Sequence, residues 1–388
     1  TRLQKMKLLL IALLTSGASA QILGLADSVH PTFKRWMDEH NIKFDTRTKT
    51  LDAQHQFFKN QALIEQLNAD EHDTAEYGLN RFSHMSPEQF KEQMLLKGSG
   101  QPVRPNMKSS QPPSLKDVPT EWDWRDKNAV TSVKDQGALG TCWIFSTMGN
   151  LEGQRALGGN DLVDLSVEHV LECDAGTDDV TGNADCGMFG GWPYLAYEGI
   201  IARGGVFADS DMPYCAGISY GKDGNCMPCM ADGYDEELCG NHSDDDGGLP
   251  LYCEPESTLG QGAEALCKGE SDDYKYAMAI SNWTDVSSTS ADEIAASLVE
   301  IGPLSVALDA SKLQFYKGGV FNPSKCSETA LNHAVLLVGF GTDDTDGDYF
   351  TVKNSWAEKW GEDGYFRIAK ADGAGTCGIN TAVTSGLV

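Results

Sequence analysis

The segment DQGALGTCWIFS places Cys142 directly at the start of a predicted helix, after two glycines, Gly137 and Gly140. Unpaired amide groups and the positive end of a helix dipole stabilise a thiolate at such a position, and the thiolate is the nucleophilic form of cysteine. A cysteine at a helix start is more often structural, so Cys142 needs partners from elsewhere in the chain to be a nucleophile.

Two later segments contain such partners. LNHAVLLVGFG holds His333 just before a predicted buried strand, and imidazole titrates near neutrality, so it can take up a proton and return it to a leaving amine. KNSWAEKWGEDGYFRI holds Asn354, whose carbonyl can fix the imidazole tautomer, and Trp356, which can shield the pair. Each residue alone is unremarkable, but together they are the groups that acyl transfer by a thiol requires.

Hydrophobic patterning predicts how these residues are positioned. Residues 141–157 have helical periodicity, whereas residues 304–308, 334–340, 349–352 and 365–368 have the pattern of short buried strands. Because helices come first and strands later, the order predicts an α+β fold with a helical half and a sheet half. Further upstream, one helical face is formed by Phe57, Asn60, Ile64 and Asn68.

Composition limits the possible functions. The 388 residues carry a formal charge of −27 and are 40% hydrophobic, which indicates a globular protein and argues against nucleic acid or anionic lipid as partners. All 11 cysteines lie between Cys142 and Cys377, and their odd number suggests five disulfides plus one free thiol in an oxidising compartment.

The start of the chain indicates the secretory pathway. Lys5 and Lys7 precede an apolar run at residues 8–14 and the small residues at 18–20, so we expect a signal peptide over residues 1–20. No later apolar stretch is long enough to span a membrane, and the strongly acidic region 118–388 suits an acid-tolerant lysosomal or extracellular protein. The Pro-, Ser- and Lys-rich stretch 98–113 has the composition of a flexible, cleavable linker.

The segments LGTCW, NHAVLLVGFG, KNSW and CGINT resemble, in order, those of papain-like cysteine protease zymogens, most closely the cathepsin F group of that family. The resemblance implies a two-lobed papain-like fold, with a helical lobe and a β-sheet or barrel lobe, preceded by a helical propeptide. It implies a signal peptide at 1–20, an inhibitory propeptide with its linker at 21–117, and a peptidase domain at 118–388. We expect no cofactor, and we expect no metal because the pair Cys226 and Cys229 has no second pair at zinc-finger spacing.

Catalytic roles follow from the same resemblance. Cys142 would be the nucleophile, His333 the general acid and base, and Asn354 the residue that orients the imidazole. The side-chain amide of Gln136 and the backbone amide of Cys142 would stabilise the oxygen that becomes anionic in the tetrahedral intermediate. We expect Cys142 and His333 to rest as a thiolate and imidazolium pair.

The resemblance also implies a substrate cleft with a glycine-rich wall and an apolar pocket, and this pocket predicts a preference for bulky hydrophobic residues at P2, two residues before the cut. The wall is expected at Gly190, Gly191, Trp192 and Pro193. The pocket is expected to be lined by Trp192, Pro193, Ala307, Leu331, Ala334 and Ala382, with Trp356 elsewhere in the substrate-binding region. With Ala382 and no acidic residue in the pocket, Arg should be rejected at P2.

The chain also departs from the family pattern. Leu139 stands where the family usually has a disulfide cysteine, so we expect Cys186, its usual partner, to bond to a cysteine of an acidic insert. That insert, at about 227–272, is inferred because His333 lies 191 residues after Cys142, whereas papain and cathepsins have about 130–150. The resemblance pairs Cys326 with Cys377, and the remaining pairings stay open.

The predicted propeptide carries its own departure. GLNRFSH resembles the second propeptide motif, but His84 replaces the expected Asp. Histidine gains charge near pH 6.5 where Asp loses it near pH 4, so we expect activation to respond differently to acid.

The leading interpretation is a cysteine endopeptidase made as a zymogen, forming a thioester acyl-enzyme. The alternatives are an exopeptidase, a transpeptidase or a catalytically inactive binding homologue. Expected partners are protein or peptide substrates, the chain's own propeptide and cystatin-type inhibitors, and we expect a monomer. Asn241 and Asn282 begin glycosylation sequons.

Overall fold

The computed structural model describes residues 28–96, 118–214, 231, 233, 235–240, 267 and 275–388. The expected signal peptide, the linker at 98–113 and most of the expected insert lie outside these residues. Within the described part of the chain, no helix is long and apolar enough to cross a membrane.

The amino-terminal segment, residues 28–96, is mainly helical. Its elements are α1 (Pro31–His40), α2 (Arg47–Leu67), the short strand β1 (Glu76–Tyr77) and α3 (Pro87–Met94). Side chains fix where the helices begin: the Thr46 hydroxyl accepts from the Lys49 amide before α2, and Ser86 and Gln89 form a capping box before α3. These caps satisfy amide groups that have no partner inside the helix.

The larger part of the chain, residues 118–388, has two groups of elements. The first group is mainly helical and the second forms the sheet half. The first group comprises β2 (Trp122–Asp123), α4 (Cys142–Leu157), α5 (Val167–Cys173), β3 (Thr177–Asp178), β4 (Asn183–Ala184), α6 (Pro193–Arg203) and α7 (Glu236–Cys239). The second comprises β5 (Asn282–Asp285), α8 (Ala291–Ile301), β6 (Leu304–Leu308), β7 (Tyr316–Gly318), β8 (Val320–Phe321), β9 (His333–Asp343), β10 (Gly347–Lys353), β11 (Tyr365–Ala369) and β12 (Val383–Leu387). The predicted α+β class is confirmed.

The main sheet runs in the order β5, β12, β6, β9, β10, β11, β8, and β2 pairs with β9. All its pairs are antiparallel except β11 with β8. The strands that begin at residues 304, 334, 349 and 365 in the sequence prediction are β6, β9, β10 and β11, and the predicted helix at 141–157 is α4. Their apolar side chains fill the core of the sheet half.

Helix α4 packs directly on strand β9, and this contact positions both of their first residues. The Ser146 hydroxyl donates to the Val335 carbonyl of β9 over 2.7 Å. The side-chain amide of Asn150 donates over 2.6 Å to the carbonyl of Pro303, the residue before the neighbouring strand β6. At Gly149 an added Cβ would lie 2.9 Å from Leu336 Cδ2, so glycine permits the close approach. The start of α4 and the start of β9 are therefore held side by side.

The amino-terminal segment docks on the sheet half. Strand β1 pairs antiparallel with β7. The side chain of Asn60 is buried and donates to the carbonyls of Ser83 and Met85 over 2.9 and 2.8 Å. Phe82 and Phe90 join the same apolar cluster as the sheet core. Of the predicted face, Phe57, Asn60 and Ile64 are buried, whereas Asn68 is an exposed residue at the end of α2 whose side chain bonds to the backbone of Tyr77.

Three disulfides connect described cysteines, namely Cys173 with Cys267, Cys186 with Cys239, and Cys326 with Cys377. Cys186 thus bonds to a cysteine of the expected insert, and Cys142 is a free, buried thiol. Cys215, Cys226, Cys229 and Cys253 lie outside the described residues, so the total of five bridges stays a prediction.

His84 lies in an apolar site of the docked segment. Its ring centroid is 5.4 Å from that of Trp36 and 5.5 Å from that of Phe44, and its Nδ1 is 3.2 Å from the Arg81 carbonyl. Burial lowers the pKa of His84 to about 4, and the positive charges of Arg81 and His40 act in the same direction. The expectation that docked His84 gains charge near pH 6.5 is therefore wrong, because its surroundings disfavour the charged imidazolium.

Acid should loosen this docking through His84. The groups that enclose His84 belong to the segment itself, and the folded pKa lies below the free value, so the fold that allows docking is unaffected above pH 6.5 and loses stability as pH falls from 6.5 towards 4, by up to about 3 kcal/mol. The glutamine in His84→Gln cannot titrate, so we expect segment release to depend less steeply on pH. Hydrogen exchange of α1 and α2 measures this release.

The matched control is His55→Gln, since His55 is exposed on α2 and should leave the profile unchanged. An identical release profile in His84→Gln and the parent chain would contradict the role of His84.

Candidate active site

Cys142 and His333 meet at the junction of the two halves. Cys142 is the first residue of α4 and His333 is the first residue of β9. The Cys142 sulfur accepts from the amide of Ala334 over 3.5 Å, so the thiol lies beside the backbone that carries the imidazole. Both side chains are fully buried in the presence of the amino-terminal segment.

Asn354 fixes the orientation of the imidazole. His333 Nε2 lies 2.8 Å from Asn354 Oδ1, and the same oxygen accepts from the Ser355 amide over 2.8 Å. Because Oδ1 can only accept, Nε2 must carry the hydrogen. Nδ1, which has no hydrogen-bond partner among the described residues, is then the nitrogen that can exchange a proton with the thiol. Trp356 stacks on the imidazole at 4.6 Å and shields this bond.

Gln136 presents an amide donor at the same site. Its Oε1 accepts from the Ser355 hydroxyl over 2.6 Å, which determines which end of the amide carries the hydrogens. Its Nε2 donates to the Leu139 carbonyl over 2.7 Å and to the Met94 carbonyl over 3.3 Å. A carbonyl of the amino-terminal segment is therefore bound by the donor predicted to stabilise an oxyanion.

The end of the amino-terminal segment lies in the expected substrate pocket. The Leu96 amide donates to the Asn332 carbonyl over 2.7 Å. At Gly190, with φ of 140°, an added Cβ would lie 3.3 Å from Leu96 Cδ2, so the bare glycine allows this close contact. Leu96 belongs to one apolar cluster with five of the predicted pocket residues, namely Trp192, Ala307, Leu331, Ala334 and Ala382.

The remaining predicted binding residues lie around this pocket. Pro193 is the buried first residue of α6. At Gly191 an added Cβ would lie 2.6 Å from both Asp185 Oδ1 and the Trp143 ring, so the wall is packed from behind. Trp356 lies on the other side of His333, where Phe82 and Phe90 of the amino-terminal segment contact it edge to face at 5.4 and 5.3 Å.

The buried site holds its catalytic groups in their neutral forms. Burial raises the pKa of the Cys142 thiol to about 12, and it lowers the pKa of His333 to about 4, against the opposing hydrogen bond to Asn354. The expected thiolate and imidazolium pair is therefore wrong for this state of the chain. The physical cause is that both side chains are fully buried from water, which disfavours both charged forms.

Several residues that build this site were not predicted from the sequence. Met94 and Leu96 fill the cleft, Asn332 contributes a backbone carbonyl, and Ser355 orients Gln136. The run Met94–Leu95–Leu96 was the available signal, since it is apolar and comes directly before a polar linker. Backbone carbonyls and orienting hydroxyls give no pattern in a single sequence.

Two family profiles match the chain. Residues 118–387 match the papain family cysteine protease profile, and residues 33–90 match the cathepsin propeptide inhibitor domain (I29). The first match alone covers more than half of the chain.

Individual relatives agree with these matches. The chain is 32% identical to cysteine proteinase 15A of Pisum sativum over 90% of this chain and 81% of that protein. It is 32% identical to cathepsin F of Mus musculus over 92% of this chain and 65% of that protein. The structure of digestive procathepsin L 3 of Tenebrio molitor has a TM-score of 0.68 and 29% identity, covering 92% of this chain and 98% of that one. The chain therefore belongs to the papain family of cysteine proteases and carries a cathepsin-type inhibitory propeptide.

Proposed function

We propose that the activated chain is an endopeptidase in which Cys142 is the nucleophile and His333 the general acid and base. The observation that carries this proposal is the free thiol of Cys142 at a helix start, next to an imidazole whose Nε2 is held by Asn354. Gln136 Nε2 and the backbone amide of Cys142 are the proposed oxyanion donors. The peptidase unit would span residues 118–388.

In the proposed reaction, the Cys142 thiolate attacks the scissile carbonyl carbon and its oxygen becomes negative. Gln136 and the Cys142 amide stabilise that oxygen, and a missing donor of this kind typically costs about 3 kcal/mol. The imidazolium of His333 then protonates the leaving amine, and a thioester remains. His333 next removes a proton from water, which attacks the thioester, releasing the acid product and restoring the thiol.

The reaction requires the propeptide to leave first. While Met94 and Leu96 fill the cleft, Cys142 and His333 are both neutral, and the Gln136 amide is already bound to the Met94 carbonyl. Water entering the emptied cleft restores solvation of both charged forms. A proton can then pass from Cys142 to His333, and the resulting charges stabilise one another.

The pocket that holds Leu96 supports specificity for an apolar P2 residue. Its walls are aromatic or aliphatic, and the floor residue Ala382 leaves space for a branched or aromatic side chain. A buried guanidinium would have no carboxylate among the six predicted lining residues, and burying an unpaired charge is costly.

We further propose that the protein acts in the secretory pathway, in lysosomes or outside the cell, as its disulfides and acidic composition favour. Exopeptidase and transpeptidase activity remain the rival reactions on the same acyl-enzyme. Comparing cleavage of internal bonds with removal of terminal dipeptides separates the first rival, and adding an amine nucleophile separates the second.

Labelling of Cys142 tests the nucleophile. After acid activation, we expect an irreversible thiol-directed epoxide to modify the peptide containing Cys142 stoichiometrically and to abolish hydrolysis. Among the cysteines that the structure describes, all except Cys142 form disulfides. Mass mapping of the modified peptide together with residual activity is the measurement. Cys142→Ala is the control, and hydrolysis that survives complete labelling would refute the proposal.

Peptide profiling tests the pocket. We expect kcat/KM to be at least about tenfold higher with Leu or Phe at P2 than with Arg, because an unpaired buried charge costs more than about 1.4 kcal/mol. Ala382→Glu is the matched variant, and it should selectively raise kcat/KM for substrates with Arg at P2. Equal rates for Arg and Leu in the parent enzyme would show that the pocket is assigned incorrectly.

Substitution of Leu96 tests autoinhibition. Leu96→Glu would bury a carboxylate in the apolar pocket, so we expect the propeptide to be released more easily and the activation midpoint to shift to higher pH. Leu96→Met conserves volume and should activate like the parent. Activation kinetics followed by peptide hydrolysis provide the measurement, and equal behaviour of the Glu and Met variants would contradict occupancy of the pocket by Leu96.

A further inference from the structure

The oxyanion loop, defined as residues 136–141, lacks the covalent connection that its family resemblance implies. Leu139 replaces the usual cysteine, and Cys186 is bonded to Cys239 instead. Backbone bonds hold the two ends of the loop: the Gln136 amide donates to the Ser355 carbonyl over 2.8 Å, and the Gly140 amide donates to the Met188 carbonyl over 2.7 Å. The loop nevertheless carries Gln136, which must be placed accurately to act as a donor.

The loop is buried, since the side chains of Gln136 and Thr141 are fully inaccessible to solvent, and a cavity lies next to it, beside Asp135. A cavity of about 440 Å³ is lined by residues that include Asp135, Phe145, Tyr214 and Ser355. Tyr214 lines this cavity, whereas none of the loop residues 136–141 does. Because the loop has no disulfide, hydrogen bonds are the directional restraints on its position.

One such group is the hydroxyl of Tyr214, which contacts both ends of the loop. It donates to the carbonyl of Gln136 over 2.9 Å and lies 2.9 Å from the hydroxyl oxygen of Thr141. Because the single tyrosine hydrogen is used on Gln136, the Thr141 hydroxyl is the donor in the second bond. Burial raises the pKa of Tyr214, so its hydroxyl remains protonated.

Thr141 is available for this bond because it does not cap its own helix. Threonine before a helix usually accepts from an amide of the first turn, but the Thr141 side chain makes no such bond at the start of α4. The ring of Tyr214 is itself fixed, since it packs edge to face on Phe145 at 4.9 Å. The hydroxyl is therefore held by its ring on one side and by two loop residues on the other.

We propose that Tyr214, together with Thr141, is a positioning residue of the oxyanion site, a noncovalent replacement for the missing loop disulfide. It acts through Gln136 and the start of α4 and touches no substrate. This inference rests on the proposed roles of Gln136 and Cys142.

The test compares acid-activated Tyr214→Phe with the parent enzyme. The variant keeps the ring against Phe145 and removes only the hydroxyl. We expect kcat to fall about tenfold with KM within about twofold, because a displaced oxyanion donor weakens transition-state binding more than substrate binding. A peptide aldehyde, whose adduct places an oxyanion in the same site, should bind about tenfold less tightly.

Alkylation of Cys142 by iodoacetamide separates positioning from general damage, since that displacement at a saturated carbon forms no oxyanion. Its rate in Tyr214→Phe should stay within about twofold of the parent. Tyr276→Phe is the matched control, because it also loses one hydrogen bond from a tyrosine hydroxyl to a backbone carbonyl, that of Arg203, which is not part of the loop. Its kcat, KM, aldehyde affinity and alkylation rate should remain unchanged.

Thr141 supplies a second variant in case Tyr214→Phe folds poorly. Thr141→Ala should reproduce part of the loss in kcat, Thr141→Ser should restore it, and the double variant with Tyr214→Phe should be no worse than Tyr214→Phe alone. A kcat within twofold of the parent in both Tyr214→Phe and Thr141→Ala, or an alkylation rate that falls by the same factor as kcat, overturns the inference. Failure of the proposed function gives a different result, namely a parent enzyme that still hydrolyses peptide after alkylation.

Discussion

The packing of α4 on β9 is the constraint on which the rest of this structure depends. A helix start provides unpaired amides and a favourable dipole, and a strand start provides a rigid support for an imidazole, but neither is useful unless they meet. Small or hydrogen-bonding side chains make this possible: Ser146 bonds to β9, and Gly149 allows Leu336 to approach. A bulky residue on this face of α4 would separate Cys142 from His333 without touching either.

The propeptide contacts the residues that we propose for catalysis and substrate binding. The Met94 carbonyl occupies the Gln136 amide, and Leu96 packs in one apolar cluster with the predicted pocket residues, so the inhibitory segment is bound by parts of the proposed substrate site. It also removes the water that stabilises charge, and Cys142 and His333 become neutral as a consequence. Inhibition therefore combines steric occupation with a change in protonation, and both end together when the segment leaves.

The sequence predicted α4 and the four strands β6, β9, β10 and β11, and it identified Cys142, His333 and Asn354 as candidates, because these depend on local patterns. The periodicity around Cys142 and the apolar run after His333 correspond to α4 and β9. The protonation state could not be predicted this way, since it depends on which atoms exclude water from the cleft. His84 is a second example: its type suggested a charge near neutral pH, but Trp36 and Phe44 enclose it in the fold.

Because Cys186 bonds to Cys239, no disulfide connects the oxyanion loop to the wall at residues 190–193. The substrate wall is connected to the insert through Cys186 and Cys239, and the Cys186 amide donates to the Gly190 carbonyl over 2.6 Å. The oxyanion loop is instead held by hydrogen bonds to Ser355, Met188 and Tyr214. The loop of residues 136–141 has no disulfide to Cys186, and it is held by backbone bonds, by the Ser355 hydroxyl that donates to Gln136, and by the Tyr214 hydroxyl.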